Sequence, residues 1–156
     1  MITSTIQHES INSIIEWFLN RFGKARTALY TFPYIENNNS FTTYLNSLMA
    51  SLRRIGYYPM YAWSYDSSRD RHNLLLIVSG YCRNDMNDIT ETAQRIWKLY
   101  SPFQIEFIAE MPLEIDTIDS DKMRLFCTMN EMDFVPSVPQ RLLPAHQRNF
   151  ACSRLI

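Results

Sequence analysis

Glycine is scarce, with three in 156 residues. A loop that cradles phosphate on its backbone N–H groups needs closely spaced glycines, so this count argues against a nucleotide cradle. No trustworthy Ser-His-Asp order and no paired-carboxylate signature stands in its place, and no cofactor is expected. Cysteine is also sparse. Cys82, Cys127 and Cys152 are an odd number without C-x-x-C spacing, which suits reduced packing thiols in the cytoplasm rather than disulfides or a zinc site. The opening "MITSTIQHES" lacks a basic stretch and an apolar stretch, and no later segment is apolar for the ~18 residues of a membrane span. No membrane partner is expected. A net charge of −1 lacks the basic excess of a protein that grips duplex DNA by neutralising phosphates.

What is present is an ordinary globular balance, 46% hydrophobic and 20% charged, over a length that suits one domain. The expectation is a single domain over 1–156, with an α+β core over 10–110 and a helix and extended tail over 111–156 packed on it. Charge is unevenly spread. Residues 106–133 carry eight acids (Glu106, Glu110, Glu114, Asp116, Asp119, Asp121, Glu131, Asp133) against two basic residues, and 134–156 carry three arginines and no acid. The acidic stretch reads as a solvated face and linker, or as a surface for a basic protein partner.

In "SINSIIEWFLNRFG" apolar residues at 11, 14, 15, 18, 19 and 22 follow helical spacing, with Ser10 placed to cap the helix and Gly23 to end it. "TALYTFPYI" is β-branched and aromatic, and Pro33, lacking an N–H, marks a strand end or edge. After the polar "ENNNS", Ser40 is placed to cap a second helix, apolar at 41, 44, 45, 48, 49, 52 and 55 and stopped by Gly56. "YPMYAWSYD" and "NLLLIVSG", joined by "SSRDR", read as a hairpin whose second strand is covered on both faces. A third helix over about 84–100 and a strand "QIEFIAE" follow, then a helix in "SDKMRLFCTMNEM" and a tail with three prolines, "PSVPQRLLPAHQRNFACSRLI". The predicted fold is α+β: a ferredoxin- or RRM-like βαββαβ antiparallel sheet with an extra N-terminal helix and an irregular C-terminal tail.

Sheets of this kind host RNA-recognition modules, ferredoxin-like domains and the nicking enzymes of rolling-circle replication, so side chains must decide between them. In the nicking enzymes a His-x-His pair on a central strand holds a divalent ion, because residues i and i+2 share a face. A neighbouring carboxylate assists, and a tyrosine on a helix attacks the phosphodiester. The stretch "YAWSYDSSRDRHNLLLIVSG" resembles the hairpin of the inovirus replication-protein-like family of prophage proteins (YagK/YfjJ type), whose pattern runs Trp-x-Arg-Glu, turn, His-Tyr-His-Leu, apolar strand, Asn-Gly. The closing "RNFACSR" is similar to the family's Arg-x-Phe-Gly-x-Ser-Arg, so the resemblance rests on Trp63, Gly80, Arg148, Phe150, Ser153 and Arg154 and spans most of the chain.

That resemblance implies a replication-initiator fold with a degenerate metal site. With Gly80 on the family's glycine, Arg71 and Asn73 occupy the positions of the two metal-binding histidines, and His72 points to the opposite face with Leu74 and Leu76. A guanidinium repels a divalent ion, and an amide is a poor substitute for imidazole. Tyr65-Asp66 stands where the family has Arg-Glu. "FCTMNEMDF" contains no tyrosine where relatives carry the nucleophile. His72 alone reads as an ordinary strand histidine, since His8 and His146 lie far off in sequence.

Trp63 and Tyr65 share strand parity with Tyr61. The stripe either packs beneath a helix or the folded-back tail, or stacks unpaired bases with Arg53, Arg54, Arg69, Arg71 and Arg83 on the phosphates. The candidate binding residues are therefore Trp63, Tyr65, Asp66, Arg69, Arg71, His72 and Asn73 at the hairpin, and Glu110, Glu114 and Asp116 on the acidic stretch. The expected function is non-catalytic binding by a phage or prophage protein. Its partner would be single-stranded nucleic acid or a host nucleic-acid-processing or defence complex, inhibited by occlusion as a CRISPR effector would be. The competing expectation is a metal-dependent single-strand nickase using Asp66, His72 and an unassigned tyrosine.

Overall fold

A computed structural model describes residues 2–33, 38–66, 69–80, 86–114, 120–132, 134 and 150–153, with 2–10, 38, 39, 80, 114, 120 and 121 described at backbone level only. In chain order the elements are α1 (Ile2–Phe22), β1 (Lys24–Pro33), α2 (Asn38–Arg54), β2 (Tyr57–Asp66), β3 (Arg71–Gly80), α3 (Met86–Trp97), β4 (Glu106–Glu114), α4 (Ser120–Met129) and β5 (Phe150–Cys152). The fold is α+β. Its five strands form one antiparallel sheet in the order β4-β1-β3-β2-β5.

The run "LLLIV" belongs to β3, the central strand of the sheet, and its alternate side chains feed two separate cores. Leu74, Leu76 and Val78 join Ala28, Tyr30, Phe32 and Trp63 beneath α2 and α3, which contribute Phe41, Tyr44, Leu48, Ile89, Ala93 and Trp97. Leu75 and Ile77 join Leu29, Met60 and Ala62 on the other face, beneath Ile11, Ile14, Phe18 and Leu19 of α1 and Met123 and Cys127 of α4. Burial of each such side chain is favourable by about 1.5–3 kcal/mol, so a strand buried on both faces anchors the fold.

The helical periods of α1 and α2 coincide with their buried faces, but the ends differ from expectation. α1 begins at Ile2, so Ser10 lies inside it rather than capping it, and α2 begins at Asn38, which puts Ser40 in its first turn. Propagating a helix by a turn costs little once it is nucleated, so a capping-type residue within the pattern need not mark its start. The glycines do mark the ends. Gly23 (φ 78°) donates its N–H to the Leu19 carbonyl at 2.7 Å, and Gly56 (φ 102°) donates to the Arg53 carbonyl at 3.2 Å. Cations near a helix C-terminus, Arg53 and Arg54 in α2 and Arg95 in α3, complement the macrodipole.

The hairpin of β2 and β3 pairs Tyr57 with Gly80 through Asp66 with Arg71, as the sequence pattern implies. β4 runs four residues beyond the strand expected at 104–110, reaching Glu114, and a bulge at Ile108 shifts its register on β1 between Leu29 and Tyr30. The tail supplies β5. It pairs with Ala62–Ser64, and Ser153 clasps Tyr61 twice, its N–H on the Tyr61 carbonyl at 2.9 Å and its Oγ accepting the Tyr61 N–H at 2.8 Å. Among the described residues no helix is long and apolar enough to cross a membrane.

Gly56 offers a clean test of the α2 stop. A Cβ added there meets nothing within 4 Å, so Gly56→Ala carries only the backbone cost of the positive φ. The expected loss is about 1–2 kcal/mol, read as a lower urea midpoint with an unchanged slope.

Candidate functional site

The hairpin places the candidate residues on opposite faces of the sheet. By strand parity Arg71 and Asn73 lie with Leu75 and Ile77 beneath α1 and α4, and His72 lies with Leu74 and Leu76 beneath α2 and α3. Both faces are covered. Trp63 and His72 are fully buried (each 0% exposed) and Asn73 is 1% exposed, so the aromatic stripe is core rather than an open platform. Tyr65 is half-buried against that core.

His72 is held by three rings and one hydrogen bond. Phe41 stacks on it at 4.3 Å and 5°, Tyr65 lies at 5.1 Å, and Trp63, a diagonal neighbour across the hairpin, donates Nε1–H to His72 Nδ1 at 3.0 Å. An indole nitrogen can only donate, so Nδ1 is the unprotonated nitrogen and Nε2 carries the proton. Nε2 is itself buried without a partner. The lone pair that could bind a metal is therefore taken by Trp63. Burial also disfavours the charged ring and pushes its pKa down to about 3.

On the other face, Arg71 and Arg69 are engaged by the fold. Asp66 Oδ2 lies 3.9 Å from Nε of each, and Arg69 N–H donates to Asp66 Oδ1 at 3.3 Å. Both guanidiniums also donate to the Glu131 carbonyl, at 3.4 Å from Arg69 and 3.3 Å from Arg71. That carbonyl belongs to the turn closing α4, where Met132 N–H bonds to the Cys127 carbonyl, Glu131 N–H to the Thr128 carbonyl, and Glu131 has φ 56°. This is a Schellman turn whose left-handed position holds glutamate, with two arginines at the negative end of the helix. Sequence reasoning missed Glu131 in this role because its backbone, not its side chain, makes the contact.

Behind Arg71, Thr31, Asn73 and Ser64 form one buried polar row across β1, β3 and β2. The Asn73 amide has no hydrogen-bond partner at either atom, which costs roughly 1–3 kcal/mol. At the two positions that the family resemblance assigns to a divalent ion, a cation and a neutral amide do not fit one, and among the described residues no three His, Cys, Asp or Glu converge. Tyr30 and Tyr44 are no better as nucleophiles, since burial pushes the first to about 12 and the second well above its usual range.

The acidic candidates lie apart, on β4. Glu110 forms an ion pair with Arg26 of β1 at 2.9 Å, with both side chains more than a third exposed. Glu114 sits opposite Lys24 in the register. Asp116, Arg83, Cys82, His146, Arg148 and Arg154 lie outside the described residues, as do the side chains of His8 and Glu114. An open cavity of about 460 Å³, lined by Ile55, Tyr57, Asp88, Glu91, Thr92 and Arg95, lies between the end of α2 and the start of α3, away from both groups.

Comparison with protein-family models, curated proteins and solved structures returns no match for this chain.

The buried neutral histidine has a pH signature. In the unfolded chain a histidine takes a proton near pH 6.5, and in the folded chain His72 does not until about pH 3. The unfolded state thus binds more protons between these values, and stability falls as pH is lowered through that window, by up to roughly 1.4 kcal/mol per pH unit. In urea titrations at pH 7 and pH 5, His72→Gln, which keeps an acceptor for Trp63, is expected to be less stable at pH 7 but to lose the His72 share of the slope. The Glu131 turn offers a second test. Glu131→Gly keeps the carbonyl that both arginines use and relieves the positive φ, so it is expected to gain about 0.5–1 kcal/mol in thermal unfolding.

Proposed function

We propose that this chain acts by binding rather than by catalysis: a phage or prophage protein derived from a replication initiator, whose partner is a basic protein of the host's nucleic-acid or defence machinery. The observation that carries this reading is His72. Its free lone pair is used by Trp63 and its other nitrogen is buried, which removes the imidazole a metal-dependent nickase would need. The same inference covers the finer fold. The order β4-β1-β3-β2, with α2 and α3 packed together on one face, supports a ferredoxin-like βαββαβ unit. α1, α4 and β5 are then additions that cover its second face and one edge.

The choice of a protein partner over single-stranded nucleic acid rests on what is left at the surface. Base stacking needs exposed rings, and Trp63 is inside. Phosphate binding needs uncommitted cations, whereas Arg69 and Arg71 are held by Asp66 and the Glu131 carbonyl. Arg53 and Arg54 at the end of α2 and the half-exposed Arg69 are the accessible cations among the candidates, but the longest run of like charge belongs to the acidic β4 strand and the residues that follow it. An acidic strand repels nucleic acid and favours a basic protein.

Labelled single-stranded and hairpin DNA, incubated with the protein and Mn²⁺ or EDTA, tests the reading on native and denaturing gels. The expected outcome is no cleavage, no covalent adduct and no shifted band. Immobilised protein should meanwhile retain a basic protein from host lysate that salt releases and Glu106→Lys/Glu110→Lys does not retain. A Mn²⁺-dependent adduct would overturn the non-catalytic reading, and a salt-sensitive shift without cleavage would make nucleic acid the partner.

A further inference from the structure

Resting on that reading of a basic partner, we propose that the outer edge of β4 takes up an extended, lysine- or arginine-bearing segment of another protein as an added strand. The two edges of the sheet are treated differently. On the β2 side, β5 pairs with Ala62–Ser64 and Ser153 takes both backbone groups of Tyr61. On the β4 side, eight of the nine strand residues pair with β1 and Ile108 is bulged out of register, and among the described residues no strand lies beyond them. Glu106, Phe107, Glu110 and Pro112 are exposed. Every second N–H and C=O of an edge strand points outward, so this edge offers hydrogen bonds that a guest backbone can use.

Charge selects the guest. From Leu99 to Asp121 the chain has six carboxylates and neither lysine nor arginine, and three of the six, Glu106, Glu110 and Glu114, are on β4. A second copy of this chain is the wrong occupant. Past the bulge Glu110 and Glu114 share one face of the sheet, so antiparallel pairing of two β4 strands about Glu110 would set Glu110 against Glu110, and pairing about Pro112 would set Glu110 against Glu114. Like charges directly opposite are destabilising, whereas lysine or arginine opposite Glu110 and Glu114 on one face, or opposite Glu106 on the other, is favourable. Arg26 neutralises Glu110 only in part, at an exposed ion pair worth little on its own.

The edge also sets the length of the guest. Pro112 has no N–H, and the bulge at Ile108 twists the strand, so a long flat ladder of the aggregating kind is disfavoured. The stretch Glu106–Met111 remains, matching the usual strand length of about 5–6 residues. Phe107, 40% exposed and set edge-on to Tyr30 at 5.5 Å, gives an apolar side chain of the guest a surface to cover.

The test uses the whole chain and two probes: an N-acetylated seven-residue peptide alternating lysine and valine, and its counterpart with glutamate for lysine. Amide hydrogen exchange and nuclear magnetic resonance shifts are followed at low salt. The expected result is binding of the cationic peptide only, with slowed exchange at outward amides between Glu106 and Met111. Affinity should weaken roughly tenfold in Glu106→Lys and again with added salt. Because Glu106 is exposed, an unchanged circular dichroism spectrum is expected for that variant. Binding of the cationic peptide without protection on β4 would overturn strand addition and leave the basic-partner reading standing. No binding would overturn both, and β4 protection from self-association of the free chain would replace the guest with a second copy.

Discussion

Strand β3 must be buried on both faces, and the rest of the molecule is arranged to do it. Five consecutive large apolar residues, Leu74 to Val78, cannot leave either face of the sheet in water without losing about 25 cal/mol for each Å² of apolar surface left exposed. α2 and α3 cover one face, and α1 with α4 covers the other. In an open-faced sheet one of those surfaces would be available to a ligand. Here both are covered, which leaves edges and helix surfaces as the accessible parts of the described fold.

That constraint explains the state of the hairpin. His72 sits in the first layer beneath α2, where Phe41 stacks on its ring and Trp63 takes its lone pair, so burial and hydrogen bonding together keep it neutral. Arg71 and Asn73 fall beneath the other layer. The arginine reaches out to the α4 turn with Arg69, but the asparagine stays inside without partners. Polar groups that would serve a ligand in an open sheet are here either absorbed into the packing or left as a stability cost.

Much of the architecture was legible because it rests on periodicity. The helical faces of α1 and α2, the hairpin and the interior character of β3 all follow from where apolar residues recur, and the periods of the two helices select buried residues except at Phe22, which is half-buried, and Ile55, which lies past the end of α2 and is exposed. The pattern could not say where α1 and α2 begin, since Ser10 and Ser40 have the chemistry of caps but lie within helices whose length is decided by tertiary packing. Nor could it find β5, a three-residue strand whose partner lies some ninety residues earlier. The candidate site was legible in part. Strand parity separated His72 from Arg71 and Asn73, but parity names a face without naming what covers it.

The sequence by itself determined which residues are apolar, which share a face, and that carboxylates crowd the chain after Leu99, because composition and strand or helix period are local properties. Tertiary structure decided what each face meets. It brought Trp63 onto His72 across a hairpin, closed the second face with helices from opposite ends of the chain, gave Arg69 and Arg71 a carbonyl rather than a phosphate, and left β4 at the border of the sheet. These are contacts between residues far apart in sequence, and only the folded chain brings their atoms within hydrogen-bonding or van der Waals reach.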